Sequence, residues 1–160
     1  MGIKNYYNSI AGGYNELYKE EQIEKLEKIY VYIKDLIKYR SLLLDVGAGT
    51  GISTEFFKEK FGCLCVALDP SWEMLKQYEG NKVIGNAENL PFKNNMFDVV
   101  VSVTALHHCD IDKAIKEMLR VVKKDGIIIV TLLKKSNKKL KGYKEIDIGK
   151  DWLYLIKHKI

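Results

Sequence analysis

The stretch Leu42-Leu43-Leu44-Asp45-Val46-Gly47-Ala48-Gly49-Thr50-Gly51 constrains this chain more than any other. A short apolar run reads as a buried strand, and an acid and three alternating glycines follow it at once. Ile52 to Lys60 then reads as a helix. Strand, glycine turn and helix together bring backbone close to a nucleotide-like ligand. Glycine suits the turn because a Cβ would oppose positive φ and hold the ligand away. A bound molecule is therefore expected against Gly47, Gly49 and Gly51.

The surrounding sequence supplies a sheet for that loop to sit on. Leu26, Ile29, Ile33 and Leu36 recur at helical spacing within 16–38, which predicts an amphipathic helix leading into strand 42–46. Helix 51–60, strand 63–68, a short helix at 71–78, strand 82–85, strand 97–103, helix 112–123 and strand 127–133 follow in alternation. Gly126 is expected to cap the helix before it. Runs such as Val99-Val100-Val101 and Ile127-Ile128-Ile129-Val130 suit strands buried on both faces. Alternating strands and helices predict a parallel sheet with right-handed crossovers. Residues 143–148 and 152–160 are two strand-like runs joined by Gly149-Lys150, a link short enough to force an antiparallel pair.

Composition narrows the class further. At 160 residues the chain reads as one domain, long enough to bury a core without a disulfide or metal staple. It has three cysteines, and Cys63 and Cys65 share one face of a strand, so neither a metal knuckle nor a disulfide is expected and no metal site is assigned. The reading is a reducing, cytoplasmic setting with no membrane span and no secretory leader. A net charge of +5 permits an anionic partner without requiring one.

Two ligands compete for the glycine loop. The dinucleotide pattern G-x-G-x-x-G needs glycine at 52, where Ile52 stands. Asp69 ends the second strand and can accept hydrogen bonds from two ribose hydroxyls, which suits either NAD or S-adenosylmethionine. As a plain alternative, Asp69 is a turn residue before Pro70-Ser71. The segment Asn86-Ala87-Glu88-Asn89-Leu90-Pro91-Phe92 ahead of Phe97-Asp98 separates the two. With Leu44–Gly51, Leu68-Asp69-Pro70-Ser71, Leu106-His107-His108 and Leu119-Arg120-Val121-Val122-Lys123, it resembles the class I S-adenosylmethionine-dependent methyltransferases. Within them it is similar to the type-11 group, near the ubiquinone- and menaquinone-biosynthesis enzymes. The likeness covers about residues 6–133.

That resemblance implies an α/β, Rossmann-like three-layer sandwich with a mostly parallel seven-stranded sheet and an antiparallel C-terminal strand. It implies one domain over 1–160, with 1–21 as a cover segment and 22–160 as the core. The donor would be S-adenosylmethionine, held by Asp45, Gly47, Ala48, Gly49, Thr50, Gly51, Asp69, Pro70, Asn86, Ala87, Glu88 and Thr104. Tyr6 and Tyr14 would close from the N-terminal segment. Family members usually carry aspartate at position 86, and the neutral Asn86 accepts a weaker bond. Trp72, Met74 and Leu90 are candidates to flank the base, with Met74 assigned rather to the core. Arg120 is read as a surface or helix–sheet residue.

On the acceptor side, residues 104–110 lie at the carboxyl end of a strand, where ligands gather in open α/β sheets. His107 and His108 are the catalytic candidates there, as a general base or as residues shaping the loop. Residues 134–142 are short and lysine-rich, too short for the helical roof many relatives insert. The expectation is an open acceptor site, finished by residues 3–21, by a second subunit or homodimer, or by a large substrate. Lys134, Lys135, Lys138, Lys139, Lys141 and Lys144 read as a solvated link, with nucleic acid left open as a partner but not indicated. The methyl acceptor, taken as a small molecule, is unidentified. The rival readings are a non-catalytic cofactor-binding subunit that supports a partner, and an NAD-dependent oxidoreductase.

Overall fold

The computed structural model describes residues 11–158, with side chains described from residue 16 onward. The elements are α1 (Ala11–Ile33), β1 (Leu42–Val46), α2 (Ile52–Phe61), β2 (Leu64–Asp69), α3 (Trp72–Leu75), β3 (Asn81–Ile84), β4 (Phe97–Val103), α4 (Ile111–Val121), β5 (Val122–Leu133), β6 (Ile146–Asp147) and β7 (Asp151–Lys157). The strands form one seven-stranded sheet in the order β3-β2-β1-β4-β5-β7-β6. The first five run parallel to one another, and β7 runs antiparallel to both β5 and β6. The expected architecture, including the antiparallel C-terminal pair, is present.

Strand periodicity divides the core into two layers. Leu43, Val99, Val101, Ile127 and Ile129 point to the face covered by Leu26, Ile29 and Ile33 of α1 and Phe56, Phe57 and Phe61 of α2. Their neighbours Leu44, Val100, Ile128 and Val130 point to the opposite face, against Ala114, Ile115, Met118 and Val121 of α4. Cys63 and Cys65 are both buried in the first layer and unpaired by any disulfide. Contact with Cys63 and burial hold the Cys65 thiol well above its ordinary range.

Two local expectations are corrected. Helix α1 stops at Ile33 rather than running to residue 38. Leu36 then turns outward, 43% exposed, and Ile37 takes the buried place. Gly126 does not cap α4. The helix ends at Val121, its C-cap Val122 is already extended, and the chain enters β5 directly. Phe97 pairs with Val122 but Val99 pairs with Ile127, so residues 123–126 bulge from the ladder. A Cβ on Gly126 would lie 2.9 Å from the Asp98 carbonyl and 2.8 Å from that of Lys123. Glycine is needed there for close backbone approach, not for a helix end.

The strand order reverses between β1 and β4. Open α/β sheets bind ligands at the carboxyl ends of strands beside such a reversal. The loops after β1, β2, β3, β4 and β5 all converge on that end.

Candidate active site

A cleft of about 1160 Å³ opens at the carboxyl end of the sheet. Single drug-sized ligands occupy pockets of about 300–1,000 Å³, so this one has room for two molecules side by side. One half is built from the β1, β2 and β3 loops and the other from the ends of β4 and β5 and the inner face of α1.

The first half is mostly backbone. The Gly47 and Ala48 N–H groups donate to the Leu68 carbonyl at 2.8 and 2.9 Å, which folds the loop onto β2. Gly47 has φ +77°, and a Cβ on it would stand 2.4 Å from that of Ala105. Gly51, at φ +91°, caps α2, and a Cβ there would meet the Tyr78 ring at 2.5 Å. Asp69 is both a turn residue and a wall of the cleft. Its Oδ2 accepts from Gly49 N–H at 2.9 Å and its Oδ1 from Ser71 N–H at 2.8 Å. A carboxylate oxygen accepts two hydrogen bonds, so each oxygen keeps one lone pair for a ligand.

Asp45 lies beneath this loop rather than in the cleft. It is fully buried, and its Oδ2 accepts from Ser53 Oγ (2.5 Å) and Thr54 Oγ1 (2.8 Å), while Oδ1 has no partner. Burial pushes its pKa up to about 6, against the two hydroxyls, which pull it down.

The third loop lines the cleft with Asn86, Ala87, Glu88 and Asn89. Its position is set from α4. Glu117 accepts from Leu90 N–H (2.8 Å), and Arg120 donates to the carbonyls of Leu90 (2.9 Å) and Phe92 (2.8 Å). Glu117 and Arg120 also pair at 2.6 Å, which holds the Glu117 carboxyl below its ordinary range. Arg120 thus braces the loop. Glu88 Oε1 accepts from Asp110 N–H at 3.1 Å and joins this loop to the one after β4.

The second half is built from side chains. Thr104 leaves β4 at φ 54°, an uncommon conformation for a β-branched residue, of the kind that clusters at functional sites. Its Oγ1 accepts from Lys25 Nζ (2.6 Å) and donates to Asp151 Oδ2 (2.8 Å), and lies 3.1 Å from Thr131 Oγ1. Asp151 is 1% exposed, and Lys25 Nζ stands 3.2 Å from its Oδ1. Lys25, Tyr18 and Gln22 bring α1 into the wall. His107 Nε2 accepts from Leu133 N–H at 3.0 Å, and Lys138 donates to the His107 carbonyl. Burial holds the His107 imidazole below its ordinary pKa, consistent with a neutral ring that accepts at Nε2. His108 is exposed at the cleft, and Cys109 lines it with its thiol raised by burial.

Of the residues named from sequence, Gly47, Gly49, Asp69, Pro70, Asn86, Ala87, Glu88, Thr104, His107 and His108 line this cleft. Asp45, Ala48, Thr50 and Gly51 do not line it and form or support the loop. Tyr6 and the Tyr14 side chain lie outside the described residues. Met74, assigned to the core, instead lines the cleft, while Leu90 is in the core and Trp72 is half exposed. Lys25, Gln22, Thr131 and Asp151 were not singled out by sequence. The lysine-rich link forms a 3-10 turn, Lys134–Ser136, whose Lys135 and Ser136 line the cleft. Lys134 pairs with Asp147 and Lys139 with Glu145, so much of its charge is answered within the chain. Among the described residues no group of three His, Cys, Asp or Glu is placed to hold a metal, and no helix is long and apolar enough to cross a membrane.

Sheet order and a glycine loop facing a carboxylate at the end of β2 define a Rossmann-like domain for a ribose-bearing ligand. Residues 44–130 match the family model of the methyltransferase domain, type 11, and the chain belongs to that family of S-adenosylmethionine-dependent methyltransferases. It is 41% identical over 137 residues to an uncharacterised protein of Methanocaldococcus jannaschii, a match covering 82% of this chain and 52% of that one. It is 40% identical over 92 residues to a demethylmenaquinone methyltransferase of Corynebacterium glutamicum, covering 55% of this chain and 40% of the relative. A crystal structure of a Pyrococcus horikoshii protein shares the fold, with TM-score 0.74, 20% identity and coverage of 96% of this chain and 98% of that one. The chain spans about half the length of the first two curated relatives it matches.

The methyl donor of the family is S-adenosylmethionine, and the residues present fit it. The spare lone pairs of Asp69 suit two ribose hydroxyls, the glycine floor admits backbone contact, and Met74 supplies an apolar flank.

Proposed function

We propose that this chain transfers a methyl group from S-adenosylmethionine, held over the β1–β3 loops, to a small-molecule acceptor bound between β4, β5 and α1. The observation that carries this reading is one large cleft whose two halves differ in construction. Bound donor supplies a methyl on a positively charged sulfur, and its leaving thioether is neutral, so no group need protonate it.

The chain's own work is then to hold two molecules in line. Such positioning is worth up to about 7–11 kcal/mol of barrier. Asp69 fixes the ribose through the lone pairs left by Gly49 and Ser71. Asn86 and Ala87 meet the base edge, and Gly47 and Gly49 let the donor approach the backbone. Asp45, Thr50 and Gly51 act from beneath by keeping the loop in shape. His107 orients the acceptor loop, because its Nε2 is already occupied by Leu133 N–H. His108, exposed in the cleft, is the general base where the acceptor atom carries a proton. Among the described residues, α1 and the turn at Lys134–Ser136 wall the acceptor half.

Calorimetry tests the donor half. Micromolar binding of S-adenosylmethionine that is lost in Asp69→Ala supports the reading, and tight NAD binding without it overturns it. A labelled-methyl assay on small-molecule, RNA and protein extracts tests the acceptor. Binding without turnover on any extract would instead favour a cofactor-binding subunit that serves a partner.

A further inference from the structure

The two halves of the cleft carry opposite charge. Among the described residues, its acidic side chains are Asp69 and Glu88, both on the β2 and β3 side. The basic side chains Lys25 and Lys135 line the other side. Lys135 is an ordinary surface group, but Lys25 is not. It is 18% exposed and fixed from behind by two partners, Thr104 Oγ1 at 2.6 Å and the buried Asp151 carboxylate at 3.2 Å. An ammonium has three N–H donors. Thr104 takes one, and the Asp151 carboxylate stands at 3.2 Å as an ion-pair partner that accepts no hydrogen bond at Oδ1. The lysine lines the cleft and keeps N–H donors to offer a ligand there.

Thr104 cannot share that role, because its own proton goes to Asp151. Its left-handed backbone is the device that carries its hydroxyl between lysine and acid. Three distant segments, α1, the end of β4 and the start of β7, thus spend a buried acid and a strained threonine on orienting one cation. A lysine needed only to pin α1 would have no call to line the cleft.

We propose that Lys25 is the binding residue for an anionic oxygen on the methyl acceptor, a carboxylate, a phosphate or an ionised hydroxyl, with Asp151 and Thr104 as its positioning residues. This rests on the methyl-transfer reading above and names the substrate class for the same cleft. The acceptor is then an acid or acidic hydroxyl compound whose charged oxygen docks at the end of β4 and leaves the reacting atom toward the donor. Lys135 adds positive potential at the mouth.

The test uses the whole chain loaded with S-adenosylhomocysteine, whose own binding is titrated first. Failure at that step is failure of the methyl-transfer reading and is seen separately. Benzoate, salicylate and phenyl phosphate are then titrated beside their neutral partners benzamide, salicylamide and phenol, with affinity read by calorimetry and by amide NMR shifts. At least one anion should bind about tenfold or more tightly than its neutral partner, the discrimination expected of one charge-assisted hydrogen bond. Lys25→Gln should abolish that preference with S-adenosylhomocysteine affinity unchanged, and Lys25→Arg should retain most of it. Lys25→Met combined with Asp151→Leu removes the pair without leaving a buried charge, and guards against a folding defect in the single variant. Equal binding of anions and neutral partners, a preference that survives in both lysine-free variants, or no anion bound at millimolar concentration overturns the proposal.

Discussion

The half of the cleft proposed for the donor is made mostly of backbone and the half proposed for the acceptor of side chains. In the first, loop shape is set by Gly47, Gly49 and Gly51, and the ligand-facing group Asp69 is itself held by two N–H groups. In the second, Lys25, Thr104 and Asp151 arrive from residues 79 and 47 positions apart and depend on one another. Backbone sites tolerate sequence drift around them and keep one ligand. Side-chain sites can be rewritten by single substitutions. That difference suits a family with one donor and many acceptors.

The largest expected effect falls on the acceptor half. His108→Gln should lower kcat about 10²- to 10⁴-fold on a proton-bearing acceptor. His107→Gln should mainly lower Tm, by freeing Leu133 N–H. A reversed pattern would move the base to His107. Next comes Asp69→Ala, which removes two ribose acceptors and the tie between Gly49 and Ser71. A loss of about 100-fold or more in S-adenosylmethionine affinity is expected by calorimetry. Retention within threefold would break the donor half of the comparison.

Asp45 gives a pH-dependent effect of intermediate size. Its carboxyl has a native pKa of about 6 against 3.8 unperturbed, so the native state holds the extra proton between these values. Unfolding free energy must then fall as pH rises from about 4 to 6 and stay lower above 6. Asp45→Asn should raise stability at pH 7.5 by up to about 2–3 kcal/mol and leave it unchanged near pH 4, read by urea unfolding at both pH values. Equal curves at pH 7.5 would show that the loop does not rest on a dry charge. The smallest change sharpens the base edge. Asn86→Asp should tighten donor binding several-fold, about 1 kcal/mol, by making a neutral acceptor charged.

The same contrast explains what sequence could reveal. The donor half was legible because its parts are local: Leu42 to Gly51 and Asp69 lie on successive strands, and spacing along the chain reports their geometry. Thr104 is legible at the end of β4, but as a donor-binding residue rather than as the partner of Lys25 and Asp151. For these two the one available signal is Asp151, an acid heading the apolar run Trp152 to Ile156. Met74 was misassigned because an apolar residue that lines a cleft and one that fills a core leave the same pattern. Gly126 was misread because glycine after a helix usually marks its end, whereas here it lets β5 pass close to β4. Sequence reads Arg120 as a surface or helix–sheet residue, whereas it grips two carbonyls of a loop about 30 residues away.

The sheet ends on both sides in very short strands, four residues in β3 and two in β6. An exposed edge offers free N–H and carbonyl groups to any other chain that can align with it. Edges this short give an incoming strand few rungs to grip, and Lys82 and Asp147 put charge on each. The chain should therefore stay dispersed at high concentration and resist fibrillar self-association, despite the long apolar strands at its centre.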